Sequence, residues 1–89
     1  MKAVKSLYTN TGDFMDATQL EKYKLLGLNI SYYRRKKGLT QEQLAEAVGI
    51  DRTHVGKFET ARAGVSLDVL FQIADVLEIP VHKLFEFRE

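Results

Sequence analysis

The chain has 89 residues, enough for one domain that buries about 60–65% of the surface its unfolded form exposes, which makes a deep enzymatic cleft with a lid difficult to build. It contains no cysteine, which excludes disulfide bonds and thiolate metal sites. No stretch approaches the roughly 20 apolar residues of a membrane span, and none resembles a signal peptide, so we expect a cytoplasmic protein. The net charge of the chain is only +1, but residues 34–62 carry a net charge of +3 and residues 63–89 a net charge of −3. The basic middle segment suits contact with phosphates, and it equally fits an unevenly charged, solvated surface.

The first 20 residues show no sustained hydrophobic period and include a turn-prone polar cluster at residues 8–13. Residues 1–20 are therefore predicted to form a loosely ordered N-terminal arm. From Leu20 the apolar residues recur at three- and four-residue steps, which predicts a first helix that ends at Gly38. A basic run at residues 34–37 lies in its last turn, where positive charge meets the negative end of the helix dipole, and a phosphate contact could be added to that role.

The second and third helices have clear starting signals. Thr40 and Gln43 fit a capping box at the start of the second helix, and Gly49 stands where a left-handed backbone ends it. Asp51 can cap the third helix. The chain thus places two short helices directly one after the other.

The last two helices complete an all-α fold. A fourth helix begins after Ser66 with apolar residues at helical spacing, and Pro80 opens a short fifth helix. Because no segment reads convincingly as a strand, the chain is predicted to contain five helices and no sheet.

Side-chain size defines how the second and third helices cross. A steep crossing needs a small residue at the closest approach, which Ala45 supplies, and Gly49 makes a turn that a side chain would obstruct. The wedge between the helices is filled by apolar residues: Ile50, Val55 and Phe58. This order of small and apolar residues predicts a helix-turn-helix over residues 41–60.

These residues closely resemble the Cro and phage-repressor type of helix-turn-helix, also called the XRE family, over residues 26–85. The most specific stretches are residues 38–45, 66–70, 73–74 and 77–80. The resemblance implies a five-helix, lambda-repressor-like DNA-binding domain, here over residues 21–89. In that family the third helix enters the major groove, and the protein usually binds near-palindromic operators as a dimer.

The resemblance also implies roles for single residues. Arg34 and Glu59 match a pair that typically bridges the first and third helices, which makes Arg34 an ion-pair partner rather than a DNA contact. Gln41 matches a glutamine that usually touches a phosphate, in agreement with the N–H groups that helix N-termini present to anions. The family commonly has glycine where this chain has Ala61 and proline where it has Val65, so this loop is expected to be shaped differently.

A helical wheel of the third helix separates an inward side, with Val55 and Phe58, from an outward side. The outward side carries Arg52, Thr53 and Lys57, and the resemblance assigns base reading to the same three residues. Arginine and lysine donate to guanine O6 and N7, and threonine offers a hydroxyl or packs its methyl on thymine. We therefore predict that these residues read the DNA sequence.

Gly56 also lies on the outward side, at a cost of about 1 kcal/mol relative to alanine in mid-helix. Either the missing side chain lets the helix sit deeper in the groove, or the position is simply tolerant. Contacts to the DNA backbone are assigned to residues around the outward side: Thr40, Gln41, His54, Thr60 and Arg62. His54 lies on the flank of the core and has a second interpretation as a partly buried spacer.

The C-terminal end carries more apolar surface than a short helix needs, at Leu84, Phe85 and Phe87. Leu84 and Phe85 could complete the core, and a two-fold contact would bury Phe87; all three are assigned to a homodimer interface. Dimerisation would also place two recognition helices about 34 Å apart, as successive major grooves require.

The sequence thus predicts a transcriptional regulator, a repressor, that binds a short inverted repeat in double-stranded DNA as a homodimer. Two histidines and scattered carboxylates form no constellation for chemistry, so no enzymatic activity, no metal, no cofactor, no membrane contact and no small-molecule effector is expected. A controller protein of a restriction-modification cluster fits nearly as well, as does the antitoxin of a toxin pair. A protein-interaction adaptor with the same fold is the alternative from another class.

Overall fold

The computed structural model describes residues 6–8 and 14–87, with side chains over residues 15–87. The α-helices of this part are α1 (Leu20–Lys36), α2 (Gln41–Val48), α3 (Arg52–Glu59) and α4 (Leu67–Leu77). A C-terminal 3-10 turn spans Val81–Phe85. Two strands, β1 (Ser6–Tyr8) and β2 (Phe14–Asp16), pair in antiparallel fashion and lead into an N-terminal 3-10 turn at Ala17–Gln19. Within these described ranges, no helix has the length and apolar character to cross a membrane.

One hydrophobic core joins the four α-helices and the C-terminal turn. Its largest fully buried side chains come from all of them: Ile30, Leu44, Val55, Leu70, Ile73 and Leu84. Burying one such aliphatic side chain contributes about 1.5–3 kcal/mol. Because α2 and α3 bury Leu44 and Val55 in this shared core, the helix-turn-helix is held in place by α1 and α4.

The middle of α1 approaches the end of α3 very closely. A Cβ atom built at Gly27 would lie 2.6 Å from the carbonyl oxygens of both Phe58 and Glu59, nearer than real Cβ contacts come. Those oxygens belong to the backbone and cannot rotate away as the end of a side chain can. Gly27 therefore sets the distance between α1 and the last turn of α3.

All four α-helices end in the same way, with one left-handed residue after the last turn. These residues are Gly38, Gly49, Ala61 and Glu78, with φ angles of 83°, 87°, 58° and 58°. In each case the N–H of the following residue donates to the carbonyl five residues earlier, which closes the helix as a Schellman motif. Glycine takes this conformation at no steric cost, whereas a Cβ makes it strained. Alanine in place of glycine at position 61 therefore leads to backbone strain, but the residue still adopts the left-handed conformation that glycine would adopt.

The starts of α2 and α3 differ in their capping. Thr40 accepts a hydrogen bond from the N–H of Gln43 at 3.0 Å, and the Thr40 N–H donates to Gln43 Oε1 at 2.9 Å, so the predicted capping box is confirmed. Asp51 occupies the N-cap position of α3, as predicted, but its side chain makes no capping hydrogen bond. The carboxylate still lies next to the positive end of the α3 dipole.

The prediction of five helices needs correction, because the fifth element is the 3-10 turn Val81–Phe85. Five residues are too few to repay the cost of nucleating an α-helix, and such segments commonly take the tighter 3-10 form. Pro80 lies directly before the turn and has an extended backbone, so the predicted start of this element is confirmed. The side chain of Leu84 fixes it to the core with no exposed surface.

The prediction that the chain contains no strand is wrong for the part that the structure describes, whereas the loosely ordered arm over residues 1–20 stays a prediction. Strands β1 and β2 pair in the register Ser6↔Asp16, Leu7↔Met15 and Tyr8↔Phe14. Asp16 then accepts from the N–H of Thr18 at 2.9 Å, and Met15 is only 2% exposed. A three-residue strand is too short to display the alternating pattern by which strands are recognised. The rest of the arm, residues 1–5 and 9–13, lies outside the described residues.

Candidate nucleic-acid interface

The turn between α2 and α3 is built around one backbone carbonyl. Ala45 C=O accepts from the N–H of Gly49 at 2.8 Å and from the N–H of Ile50 at 2.9 Å. The Ala45 side chain is 2% exposed, in agreement with a small residue at the crossing of the two helices. This turn reverses the chain tightly enough to present α3 on the surface beside the start of α2.

The two sides of α3 have opposite environments. Val55 and Phe58 are buried in the core, while Arg52 and Thr53 are exposed and Lys57 is half-buried. The structure therefore brings the three predicted base-reading residues together on the side of α3 that faces away from the core. Two cations and a hydroxyl on one face form a surface that can donate to base edges and attract phosphates.

A buried ion pair holds α3 to α1. Arg34 donates from Nε to Glu59 Oε2 at 2.7 Å and from Nη2 to Glu59 Oε1 at 3.1 Å. Their side chains are 9% and 4% exposed. Arg34 Nη1 also donates to the Leu39 carbonyl at 2.8 Å, which ties the loop before α2 to the same group. The structure thus brings together the two residues that the resemblance paired.

Gln41 is a third member of this group, which the sequence did not predict. Its Nε2 donates to Glu59 Oε1 at 3.0 Å, from the first residue of α2. The amide also lies above Gly56, where a Cβ atom would stand 3.9 Å from Gln41 Oε1. Gln41 therefore reaches across the start of α2 to α3, and one of its two amide N–H donors is already in use.

Thr60 and Arg62 lie beside each other at the end of α3. The Thr60 hydroxyl donates to the Gly56 carbonyl at 2.7 Å and accepts from Arg62 Nε at 3.1 Å. A hydroxyl has a single proton. Since that proton is directed at the helix backbone, Thr60 fits a role in orienting the Arg62 guanidinium better than a direct hydrogen bond to a phosphate.

His54 does not fit the predicted contact with the DNA backbone. It is 7% exposed, and its ring packs edge-on against Phe58 with 5.4 Å between ring centroids. The helical wheel placed it on the flank of the core, and packing has drawn the ring inward. The interpretation of His54 as a buried spacer is the one that agrees with its burial.

The three residues assigned to a dimer interface occupy different environments. Leu84 has no exposed surface and belongs to the core, so it cannot contact a second molecule. Phe85 is 46% exposed and Phe87 is half-buried, and their ring centroids lie 6.4 Å apart. Phe87 lines two apolar grooves, one formed by α1 and the C-terminal end and the other by α1, α4 and the C-terminal turn. The expected surface patch is therefore centred on Phe85 and Phe87.

Two residues that position these surfaces were missed by the sequence analysis. Gly27 sets the spacing of α1 and α3, and its only signal was a glycine within a long helical pattern. Asn29 donates from Nδ2 to the carbonyls of Leu84 at 2.9 Å and Glu86 at 3.2 Å, which ties the C-terminal turn to α1. Nothing in the local pattern around Asn29 points to partners 55 and 57 residues away.

Comparison with known proteins agrees with this geometry. The chain matches the family HTH_3, described as helix-turn-helix, over residues 30–84. The chain belongs to this helix-turn-helix family. It is the XRE type that the motif resembled, and its matched segment runs from the middle of α1 to the C-terminal turn.

Relatives of this XRE-family chain include control and regulatory proteins, some of them with known crystal structures. It is 38% identical over 71 residues to the control protein C.SmaI of Serratia marcescens, which covers 80% of this chain and 79% of C.SmaI. It is similar to the restriction-modification controller protein C.AhdI from Aeromonas hydrophila, with a TM-score of 0.71 and 35% identity over 73% of this chain and 98% of that chain. It is also similar to SinR, a master regulator for biofilm formation, in a crystal structure with DNA (TM-score 0.63, 29% identity, 68% of this chain and 98% of that chain). Two further relatives with regulatory names are longer than the matched segment, and the chain covers only 24% of one and 57% of the other.

Within the described residues, no group of three or more histidine, aspartate or glutamate side chains is placed to hold a metal ion. The names of the relatives above describe control and regulatory proteins, and none of them describes an enzyme.

Proposed function

We propose that the protein is a sequence-specific DNA-binding transcriptional regulator that inserts α3 into the major groove and represses by occupying a promoter. One observation carries the proposal: Arg52, Thr53 and Lys57 share the side of α3 that faces away from the core. A surface of this kind has hydrogen-bond donors for base edges and positive charge for the phosphates on either side. SinR, with 29% identity, has been solved in complex with DNA.

In this mechanism the base-reading and backbone contacts have separate residues. Arg52 and Lys57 donate to guanine, and Thr53 contacts a neighbouring base. Thr40 and Gln41, at the start of α2, and Arg62, after α3, contact phosphates on the two sides of the groove. The phosphate contacts fix the register of α3, and the three residues on α3 select the sequence.

The proposed binding species is a homodimer on an inverted repeat, joined through the surface around Phe85 and Phe87. The exposed apolar residues Leu67 and Phe71 lie four residues apart on α4, and Leu67 lines one groove together with Phe85. Apolar side chains grouped in this way favour a contact that removes them from water. Sedimentation equilibrium should show a dimer that Phe85→Lys converts to a monomer with its helix content unchanged.

A controller protein of a restriction-modification system is a second candidate role for the same DNA-binding mechanism. It is favoured by the similarity to C.SmaI and C.AhdI, since the chain covers 79% and 98% of those two proteins. Specific binding to the DNA upstream of its own gene, next to genes for a nuclease and a methyltransferase, would support this role. A protein-interaction adaptor fits less well, because the outward side of α3 is cationic and polar.

The decisive experiment selects tightly bound duplexes from a random pool and measures variants on the selected sequence. Arg52→Ala should lose about 1–3 kcal/mol of binding free energy and relax the preference at one base pair. The matched control is Arg35→Ala, which removes an exposed arginine from the end of α1 and should affect all sequences alike. Equal losses of Arg52→Ala on selected and random duplexes would show that Arg52 does not read a base.

A further inference from the structure

The carboxylate of Glu59 accepts hydrogen bonds from two side chains, one buried and one at the protein surface. Glu59 accepts from Arg34 with both oxygens, and Oε1 accepts in addition from Gln41 Nε2. The ion pair is shielded from water, whereas Gln41 is half-buried at the start of α2. Gln41 thus forms the boundary between the buried pair and the surface where a phosphate is expected.

The chemistry of the amide suits such a boundary. A glutamine NH₂ group has two N–H donors and no charge. When one N–H is directed at Glu59, the plane of the amide is fixed, and the second N–H has to point away from that carboxylate. A neutral group with two donors can therefore bind an anion on each side: the carboxylate of Glu59 within the protein and an anionic oxygen outside it.

The charge of Glu59 is compatible with a nearby phosphate only because Arg34 neutralises it. A carboxylate without its arginine would repel a phosphate at short range. With the ion pair in place, the group that faces outward is the amide, polarised by the hydrogen bond to the carboxylate.

We propose that Glu59 is a positioning residue for DNA binding: with Arg34 it fixes the Gln41 amide so that the second N–H is presented to a backbone phosphate. The inference rests on the proposed function, since it concerns how the DNA backbone is held. The ion pair then has two roles, joining α1 to α3 and orienting a phosphate donor on α2. The affinity for any duplex depends on it, and the preference among sequences does not.

The test is a double-mutant cycle on the full chain with a random-sequence 20-base-pair duplex as the probe, because a phosphate contact does not require the operator. Gln41→Met keeps the length of the side chain and removes both donors. The double variant R34M/E59L removes both buried charges together, which avoids an unpaired charge in the core. Gln72→Met, at an exposed glutamine on α4, is the matched control for the methionine substitution.

Gln41→Met should weaken duplex binding about tenfold in the parent protein, since a hydrogen bond to a charged group is lost. In the R34M/E59L background the same change should have an effect of less than twofold, because the amide there is no longer fixed. Gln72→Met should leave binding unchanged in both backgrounds. A tenfold loss from Gln41→Met in both backgrounds would overturn the positioning role of Glu59 and leave the proposed function intact. If the parent protein binds no duplex at low salt, the proposed function itself fails.

A second measurement needs no variant and covers the case in which R34M/E59L does not fold. In the free parent protein, the side-chain amide of Gln41 should show NMR order parameters close to those of the α2 backbone, while the amide of Gln72 should be mobile. Equal, high mobility of the two side-chain amides would overturn the proposal.

Discussion

The turn before α3 and the loop after it share one closing hydrogen bond but differ in the left-handed residue and in the partner of its N–H. Gly49 N–H donates to Ala45 C=O at 2.8 Å, whereas Ala61 N–H donates to Phe58 C=O at 3.3 Å. Before α3, the left-handed residue is Gly49, and the N–H of Ile50 donates to Ala45 C=O at 2.9 Å. After α3, the left-handed residue is Ala61, and the N–H of Arg62 donates to Lys57 C=O at 2.7 Å. The hydrogen bond from the residue after the left-handed one is thus made on both sides of α3, and the residue type determines the energetic cost of the left-handed conformation.

The difference has a location as well as a cost. Gly49 lies in the turn that fixes how α2 and α3 cross, where strain would weaken the whole motif. Ala61 lies between Thr60 and Arg62, the hydrogen-bonded pair at the end of α3 where a phosphate contact is proposed. Strained backbone is therefore found beside the proposed phosphate contact and is absent from the turn that defines the fold.

The largest effect is expected where α1 meets the end of α3, because the two backbones leave no room there for a side chain. Gly27→Ala should reduce the free energy of unfolding by about 3 kcal/mol, since the new Cβ would meet two backbone carbonyl oxygens at 2.6 Å. Urea denaturation followed by circular dichroism measures the change. An unchanged free energy of unfolding would mean that α1 and α3 can move apart at no cost. Gly27 would then not be needed to hold the end of α3 in place.

The next effect tests the unstrained turn directly. Gly49→Ala should reduce the free energy of unfolding by about 1–2 kcal/mol, because alanine has to adopt a φ angle of 87°. No neighbouring atom lies within 4 Å of the added Cβ, so the loss reports backbone strain and not a clash. A neutral result in thermal and urea denaturation would contradict the view that glycine is required for its conformation.

Replacing a second glycine by alanine, at position 56, should increase the stability instead of reducing it. Gly56 is in the middle of α3 without a positive φ angle, and an added Cβ would be in ordinary contact with the Gln41 amide at 3.9 Å. Gly56→Ala should therefore increase the free energy of unfolding by about 1 kcal/mol. Binding to the selected operator then separates the two roles of Gly56: a tenfold loss favours deep insertion of α3, and unchanged affinity favours a tolerant position.

The smallest effect tests the strained loop. Ala61→Gly should increase the free energy of unfolding by roughly 0.5 kcal/mol, because relief of the left-handed strain is partly offset by the greater freedom of glycine in the unfolded chain. Ala63→Gly is the control, since Ala63 is equally buried but has no positive φ angle and should lose stability. If both variants lost stability alike, Ala61 would not be strained.

The sequence was sufficient for features set by neighbours along the chain. The capping box at Thr40 and Gln43, the left-handed Gly49 and the outward placement of Arg52 all depend on residues within one helical turn. The family resemblance added the pairing of Arg34 with Glu59, which local pattern could not supply.

What the sequence did not predict depends on contacts between distant segments. The donation from Gln41 to Glu59 spans 18 residues, and the spacing at Gly27 depends on carbonyls of α3. For His54 the sequence left two interpretations open, a backbone contact and a partly buried spacer, and its packing on Phe58 agrees with the second. The strands before α1 were missed because three residues are too few to show a period.

The Arg34–Glu59 pair has a consequence for how this chain can diverge. Loss of either partner alone leaves an uncompensated charge in the core, at a cost of about 3–5 kcal/mol, which is a large part of the stability of a domain this small. A lineage that abandons the pair therefore has to replace both residues within a short interval or pass through a poorly folded ancestor. Positions 34 and 59 should accordingly be inherited together, while the exposed residues of α3 remain free to change with the operator.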